Sequence, residues 1–563
     1  MKVTTVRIVS LCLTLLLVSC ARRTTGDKDI PLVWISHGPS YNFGTASLIN
    51  TYIIPVAVTN VGRTNATALE AQFASSNDIG FLGGTYPGTA GTCGDTITPV
   101  SACVLVLAYS PTASGSVNNT LRISFNDGQK DWNVERVFSG TAQAPQWTWV
   151  SGSNGPSEVG SYGTQGTASG TNVPGARQGS IGWADIDSNL WLFGGFGFHT
   201  GGPAAYLNDL WKFDGTNWTW MGGTQLGNQL GIYGEQSVSA GTNQPGARSE
   251  SAAASSVMGA AYLFGGTGYG EVGAGVLNDL WSWNGSQWTW LDGTKVANGS
   301  GVYGSLGVAN AVNVPGGRSQ SSAFLDVSGR PWVLAGTGYD KDGVSGYLND
   351  LWKWDGTDWT WMSGDNVVLI DGIYGSLGVS NPANKPGAHS LHRSWVDVLG
   401  NFWIFGGYGR DKDGATGFLN HLFKWDGNNW TWMSGGNTVD QNGVYGTLGV
   451  ASAANTPGAH ARSCSFRDPR GRLWFFGGEG RGSVGVEGFT NDLWMYDGQW
   501  RWVSGASSTG AAGSYGTKGQ ANDTNIPPAR KSHQCWVDFR GNLWVFGGTG
   551  AGGSLNDLWK YGG

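Results

Sequence analysis

Six side chains able to carry positive charge recur on one beat: Arg177, Arg248, Arg318, His389, His460 and Arg530, spaced by 70 or 71 residues, each three residues after a proline. Gathered around one mouth, such a set would attract a carboxylate, a phosphate or sugar hydroxyls, and arginine brings a two-pronged donor fork to that task. A second reading is open: each group bonds loop carbonyls or a nearby loop tyrosine and staples its own repeat. Histidines concentrate in adjacent repeats at His389, His392, His460 and His533. They would suit a metal, but residues three apart on a strand point to opposite sides, so His389 and His392 are not expected to meet and no metal site is expected. Asp340-Lys-Asp342-Gly343 and Asp411-Lys-Asp413-Gly414 begin like a calcium loop. They lack the terminal acid of an EF-hand and are expected to be solvated hairpin tips. No nucleophile elbow, phosphate loop or paired-carboxylate signature is present, so the chain is expected to be no enzyme and to need no cofactor.

The elements that must position these groups are short strands. After Pro174-Gly-Ala-Arg177 comes a run from Gly179 to Asp185, a polar turn, then Leu190-Trp-Leu-Phe-Gly-Gly, then a glycine-rich loop. Leu207-Asn-Asp-Leu-Trp-Lys-Phe213, an Asp214-Gly turn and Trp218-Thr-Trp-Met221 complete the unit. Four strands per unit, repeated at a fixed period, predict propeller blades. Tryptophans fall at the same internal places in nearly every unit, which predicts wedges between twisted sheets.

Counting pieces predicts how the ring closes. The Trp-x-Trp strand begins at Trp147, Trp218, Trp288, Trp359, Trp430 and Trp500, so one copy precedes the first Pro-Gly-Ala-Arg, while the last unit stops at Tyr561-Gly-Gly. The Trp147 strand is therefore expected to complete a sixth blade and remove the open edges. Two loops of each unit are long and emerge on one face. One carries Tyr162, Tyr233, Tyr303, Tyr374, Tyr445 or Tyr515 and ends in an Asn two residues before the proline; the other is irregular. Elaborated loops on a rigid frame are where function is expected.

Pro-x-Ala-Arg, an inner strand, Phe-Gly-Gly, Asn-Asp-Leu-Trp, an Asp-Gly turn and a late Trp together resemble kelch repeats, as in kelch and galactose-oxidase-like propellers. The likeness covers residues 144–563, with Ala335 in place of glycine and His421 in place of aspartate as departures. It implies a six-bladed propeller, and in peptide-binding kelch proteins the arginines at this motif position line the binding face. It also implies an alternative, a copper oxidase, whose site needs two tyrosine ligands, one cross-linked to cysteine; no such constellation is evident.

Composition sets the wider frame. Glycine supplies 95 of 563 residues without a collagen period, tryptophan 30 and charged residues 13%, which excludes collagen and disordered polymer. A net charge of −6 argues against a nucleic-acid partner. Residues 1–19 read as a signal peptide, and Leu17-Val-Ser-Cys20 resembles the lipobox of bacterial lipoproteins, which implies that Cys20 is lipidated and followed by a linker over 20–29. Ala21, in place of an inner-membrane-retaining Asp, favours the outer membrane or cell surface. Residues 30–143 carry strand-like runs that predict a β-sandwich and resemble the Ig-like ASPM-SPD-2-Hydin module. A Cys93–Cys103 disulfide is expected there. Cys464 and Cys535 lie one residue out of step on equivalent strands and are expected to be buried free thiols. The fold expected is thus all-β: an Ig-like sandwich, then a propeller. The function expected is that of a surface-anchored lipoprotein binding a protein or carbohydrate through the long-loop face, with a purely structural envelope role as a further alternative.

Overall fold

The computed structural model describes residues 31–562, apart from 49–50, 76–77, 257–258 and 539; the leader and Cys20 lie outside the described residues. All regular structure there is β-strand. The chain divides into two compact units. The first holds segments ending at Asn42 together with Ile53–Ala108 and Asn118–Ser139, and the second holds Phe43–Tyr52, Tyr109–Val117 and Gly140 onward.

Two four-stranded sheets are built from the first part of the chain. One orders Val33–Ile35, Tyr52–Asn60, Ser101–Tyr109 and Ile79–Phe81, and the other Ser40–Ser47, Asp131–Gln143, Gly115–Asn126 and Thr67–Phe73. Alternation does the sorting: Ile54, Val56 and Val58 on one strand and Leu121, Ile123 and Phe125 on another are buried while their neighbours are not. The Cys93–Cys103 disulfide is formed, tying a turn segment to the start of Ser101–Tyr109.

The second unit is a propeller-like succession of antiparallel sheets. In the first repeat Arg177–Gln178 and Ile181–Ala184 both pair with Leu190–His199, which pairs with Gly202–Phe213, which pairs with Trp218–Gly222. The same order recurs in the four sheets whose innermost strands open at Arg248, Arg318, His389 and His460. The last repeat carries its inner strands at Arg530–Lys531 and Gln534–Val537, and here the expected closure is present. Gln146–Ser151 pairs antiparallel with Leu558–Gly562, setting Trp147 against Tyr561 and Trp149 against Trp559.

One residue breaks each inner strand in two. Gly179, Glu250, Gln320, Leu391, Arg462 and Ser532 all have left-handed φ, between 52° and 62°. That turn aims each amide at the preceding repeat: Glu250 N donates to Gly179 O, Gln320 to Glu250, Leu391 to Gln320, Arg462 to Leu391, Ser532 to Arg462, and Gly179 back to Ser532, over 2.8–3.2 Å. Backbone groups facing an axis, where no strand can pair with them, are thereby satisfied in a closed circuit.

Tryptophans fill the gaps between sheets, as their spacing predicts. Trp183 and Phe193 of the first repeat pack with Trp281, Trp283 and Trp288 of the second, and clusters of the same kind sit between each later pair. The last closes Trp536, Trp544 and Phe546 against Leu192, Trp211 and Trp218. Each large ring removes about 150–250 Å² from water.

The long tyrosine loops have a structural task. Gly166 N donates to Trp220 O, Asn172 Nδ2 to Trp218 O, and Gly378 N to Trp432 O in a later repeat. These loops lie along the outermost strand of each sheet and satisfy its free edge, which would otherwise template aggregation. Part of the length of each repeat is thus its own edge cover.

Trp147 is 2% exposed and packs on Phe476, Trp559 and Tyr561. Trp147→Ala is expected to destabilise the repeat unit by about 3–5 kcal/mol in urea unfolding followed by tryptophan fluorescence. A cost below about 1 kcal/mol would mean that this strand fastens nothing.

Candidate functional site

The six basic positions do not face a ligand. Arg177, Arg248, Arg318, His389, His460 and Arg530 are all buried, at most 1% exposed. Arg177 donates through Nη1 and Nη2 to the two oxygens of Asp209 at 2.6 and 2.7 Å, through Nη1 to Gly194 O and through Nε to Gly175 O. Asp209 also accepts from Tyr162 Oη and Trp211 Nε1, both at 2.7 Å. The same quartet recurs as Tyr233, Arg248, Asp279 and Trp281, as Tyr303, Arg318, Asp350 and Trp352, and as Tyr515, Arg530, Asp557 and Trp559. Of the two readings of the basic ring, ligand capture is corrected and the staple holds, because the side chains are buried and four of the five N–H donors of Arg177 are already spent on Asp209, Gly194 and Gly175. Burial opposes the charge on Arg177, but Asp209 beside it overrides that cost and raises its pKa. Burial and the same carboxylate push the Tyr162 hydroxyl up, so it stays a proton donor.

Two repeats depart from the quartet. In the fifth, His460 stands 3.6 Å from Asp492, and the carboxylate raises the imidazole pKa against the opposing effect of burial. In the fourth, Asp is replaced by His421, Arg by His389 and the indole by Phe423. Without a carboxylate an indole N–H at that place would have no acceptor, so a phenyl ring is the compatible choice. Tyr374 Oη lies 2.7 Å from His421 Nδ1, and the His389 ring is 5.7 Å from that of His421.

His389 and His392, expected on opposite sides, have rings 4.4 Å apart. The reason is Leu391, whose left-handed φ of 61° interrupts the strand between them and cancels the alternation rule. The Tyr374, His389 and His421 grouping is a tyrosine–histidine constellation that the sequence analysis missed; His421 in the place of the repeated Asp was its signal. It lacks the cysteine-linked second tyrosine of the oxidase resemblance, since the described cysteines are paired in two disulfides.

Asp340 and Asp411 are not solvated tips. Both are buried, and Asp340 accepts from the amides of Asp342, Val344 and Val368, capping its hairpin from within. Only Asp342 and Asp413 are exposed, each beside its neighbouring lysine.

The Cys464 and Cys535 thiols are also corrected: they form a disulfide with Cα atoms 5.7 Å apart. Being one residue out of step does turn them to opposite faces of their own sheets. Neighbouring sheets meet through opposite faces, so that parity is what brings the two together.

What remains accessible is a belt just outside the hydrogen-bonded ring. The second strand of each repeat places there Phe196, Thr267, Thr337, Tyr408, Glu479 and Thr549, opposite Tyr206, Val276, Tyr347, Phe418, Phe489 and Ser554 on the third. All but Phe418 are half-buried. Tyr347 and Tyr408 approach edge to face at 6.0 Å, and Tyr206 and Tyr269 at 6.2 Å. Beside them Arg462 reaches Glu479 at 3.4 Å and Glu250 at 3.9 Å, and Lys531 reaches Glu479 at 2.9 Å while lying over the Phe489 ring. Within the ring an axial cavity of about 240 Å³ is lined by residues that include His392, Arg393, His533 and Cys535.

No protein-family model matches the chain, and no curated protein matches it. Among solved structures, it is similar to a quinonprotein alcohol dehydrogenase-like protein from Bacteroides thetaiotaomicron at 8% identity, covering 84% of this chain and 95% of that one with a TM-score of 0.24. A family 43 glycoside hydrolase, YxiA, from Bacillus licheniformis is similar at 10% identity over 59% and 72%, TM-score 0.27. The human CEP192 ASH / PapD-like domain is similar at 14% identity over 23% and 96%, TM-score 0.17. The chain spans 31% of the Vibrio cholerae VesB protease, to which it is similar at 12% identity over 19% of its own length, TM-score 0.17.

The fourth repeat generates a pH prediction. Burial pushes the His389 pKa down to about 4 from 6.5, and pushes His392 and His421 well down too. A depressed histidine contributes stability that is fully present above pH 6.5 and lost as the pH falls through about 4. For His389 alone that is up to about 3 kcal/mol. The triple variant His389→Arg, His421→Asp, Phe423→Trp rebuilds the quartet and is expected to flatten thermal stability against pH across this window; coincident profiles would mean these histidines are not held neutral by burial.

Proposed function

We propose that this chain is a surface-anchored lipoprotein in which an Ig-like sandwich carries a six-bladed kelch-type propeller, and that the propeller binds a protein or glycan and is no enzyme. The leader and its Cys20 support the anchor. The circuit of six axial hydrogen bonds and the tryptophan clusters between successive sheets support the blade count. The motif residues, read with the quartet they build, support kelch membership.

The observation that carries the binding role is the contrast between a largely repeated interior and a varied rim. The quartet positions are kept in four repeats, whereas the belt around the mouth changes chemistry from repeat to repeat and presents Tyr347 and Tyr408 beside Arg462, Glu479 and Lys531. Aromatic faces next to charged hydrogen-bonding groups suit sugar rings and peptide side chains alike. Packing symmetry alone gives no reason for such variety.

The test is a glycan and peptide array probed with the purified chain and with its Tyr347→Ala/Tyr408→Ala variant. The chain is expected to mark discrete spots, and the variant to lose at least about tenfold in signal, the scale of a lost aromatic contact of more than 1 kcal/mol. Thermal midpoints should stay within a few degrees. A blank array, or equal signals from both proteins, would return the chain to a structural envelope role.

A further inference from the structure

We propose that Cys464, His533 and Cys535 form a site for a thiophilic cation with a filled d shell, Zn²⁺ or Cu⁺, occupied when the two cysteines are reduced and vacated when they join as the disulfide. The ligating atoms of the three residues all lie within 4.8 Å of one another, and all three side chains are buried. His533 immediately precedes the Gln534–Val537 strand that carries Cys535, while Cys464 comes from the facing sheet. Two thiolates and an imidazole are the donor set of three-ligand sites for these ions.

The imidazole is prepared for the role. His533 is 5% exposed, and its Nε2 lies 3.1 Å from the carbonyl oxygen of Phe476. A carbonyl only accepts, so Nε2 carries the proton and Nδ1 keeps a lone pair, for which the protein supplies no partner. A metal-bound histidine is oriented by this kind of bond from its other nitrogen. The Phe476 ring lies edge-on at 5.3 Å and fixes the plane. All three residues line the axial cavity of about 240 Å³, which leaves room for water or a small anion as a fourth ligand.

The exchange balances. A dithiol reductant, or two monothiols, transfers two electrons to the Cys464–Cys535 bond, leaving two protein thiols and one oxidised reductant disulfide. Binding of the cation then displaces the two thiol protons to solvent. Oxidation reverses both steps and expels the ion.

The full chain, reduced with a phosphine, desalted without oxygen and loaded with Co²⁺ as a spectroscopic probe for Zn²⁺, tests this. Expected are a thiolate-to-cobalt charge-transfer band, intense tetrahedral d–d bands and one ion per chain, displaced by Zn²⁺; Cu⁺ is measured separately by chelator competition. The unreduced chain should bind none. Cys535→Ser and His533→Gln should each weaken binding by at least about tenfold, the least that loss of even a ligand's supporting partner costs, whereas Cys93→Ser/Cys103→Ser should leave it unchanged. Near-ultraviolet circular dichroism reports the fold in each case. The proposal is overturned by a folded, reduced chain that takes up no ion, by equal binding in the His533 and Cys535 variants, or by loss of the fold upon reduction before metal is added.

Discussion

One buried carboxylate in every repeat but the fourth organises the second unit. Asp209 collects a tyrosine from the edge-covering loop, an arginine from the innermost strand and an indole from its own strand, so three elements far apart in sequence converge on two oxygen atoms. Removing two charges from water is costly, and only a fully bonded arrangement repays it. The quartet meets that condition, and its geometry fixes where the loop leaves the sheet and how deep the first strand sits. The axial hydrogen-bond circuit follows, because the residue two after each basic position turns toward the centre. With these interior bonds made, Arg177, Arg248, Arg318 and Arg530 are committed to the frame, and the side chains left accessible are those of the belt outside the ring.

The fourth repeat shows that this constraint acts as a unit. Replacing Asp with His421 removes the acceptor that arginine and indole both need, and both have changed with it, to His389 and Phe423. Tyr374 keeps its hydrogen bond, now to an imidazole nitrogen. The substitution trades charged bonds for neutral ones whose remaining nitrogens face no partner, including Nε2 of both His389 and His421. A repeat built this way gains nothing in packing and depends on those rings staying neutral.

Much of the fold was legible because it is periodic. A regular spacing of prolines, Trp-x-Trp strands and glycine doublets is enough to count strands, predict wedges and find the orphan strand at Trp147. The misreadings share one cause, which is that local rules were applied where the chain is locally irregular or where two sheets meet. Alternation placed His389 and His392 apart because the left-handed residue between them is invisible in the sequence; Leu391 carries no glycine signature there. The Cys464–Cys535 bond was missed because face parity was judged within one sheet, whereas contact occurs between opposite faces of two. The ring of basic groups was readable as a ring but not as buried, since its acid partner lies some thirty residues further along the chain and a single sequence does not reveal that pairing.

The length of the repeat is tied to edge protection. A sheet of this kind ends in a strand whose outer backbone groups are unpaired, and twisting alone does not hide them. Here the loop running from Tyr162 to Asn172 returns along that strand and bonds to Trp218 and Trp220, spending its polar groups on protection. The other long loop, the hairpin after the glycine doublet, is released from that duty, and its residues nearest the axis are the ones that vary. Conserved interior bonds and a covered edge together leave one part of each repeat free to diverge, and that part lies on the rim where Tyr408 and Glu479 stand.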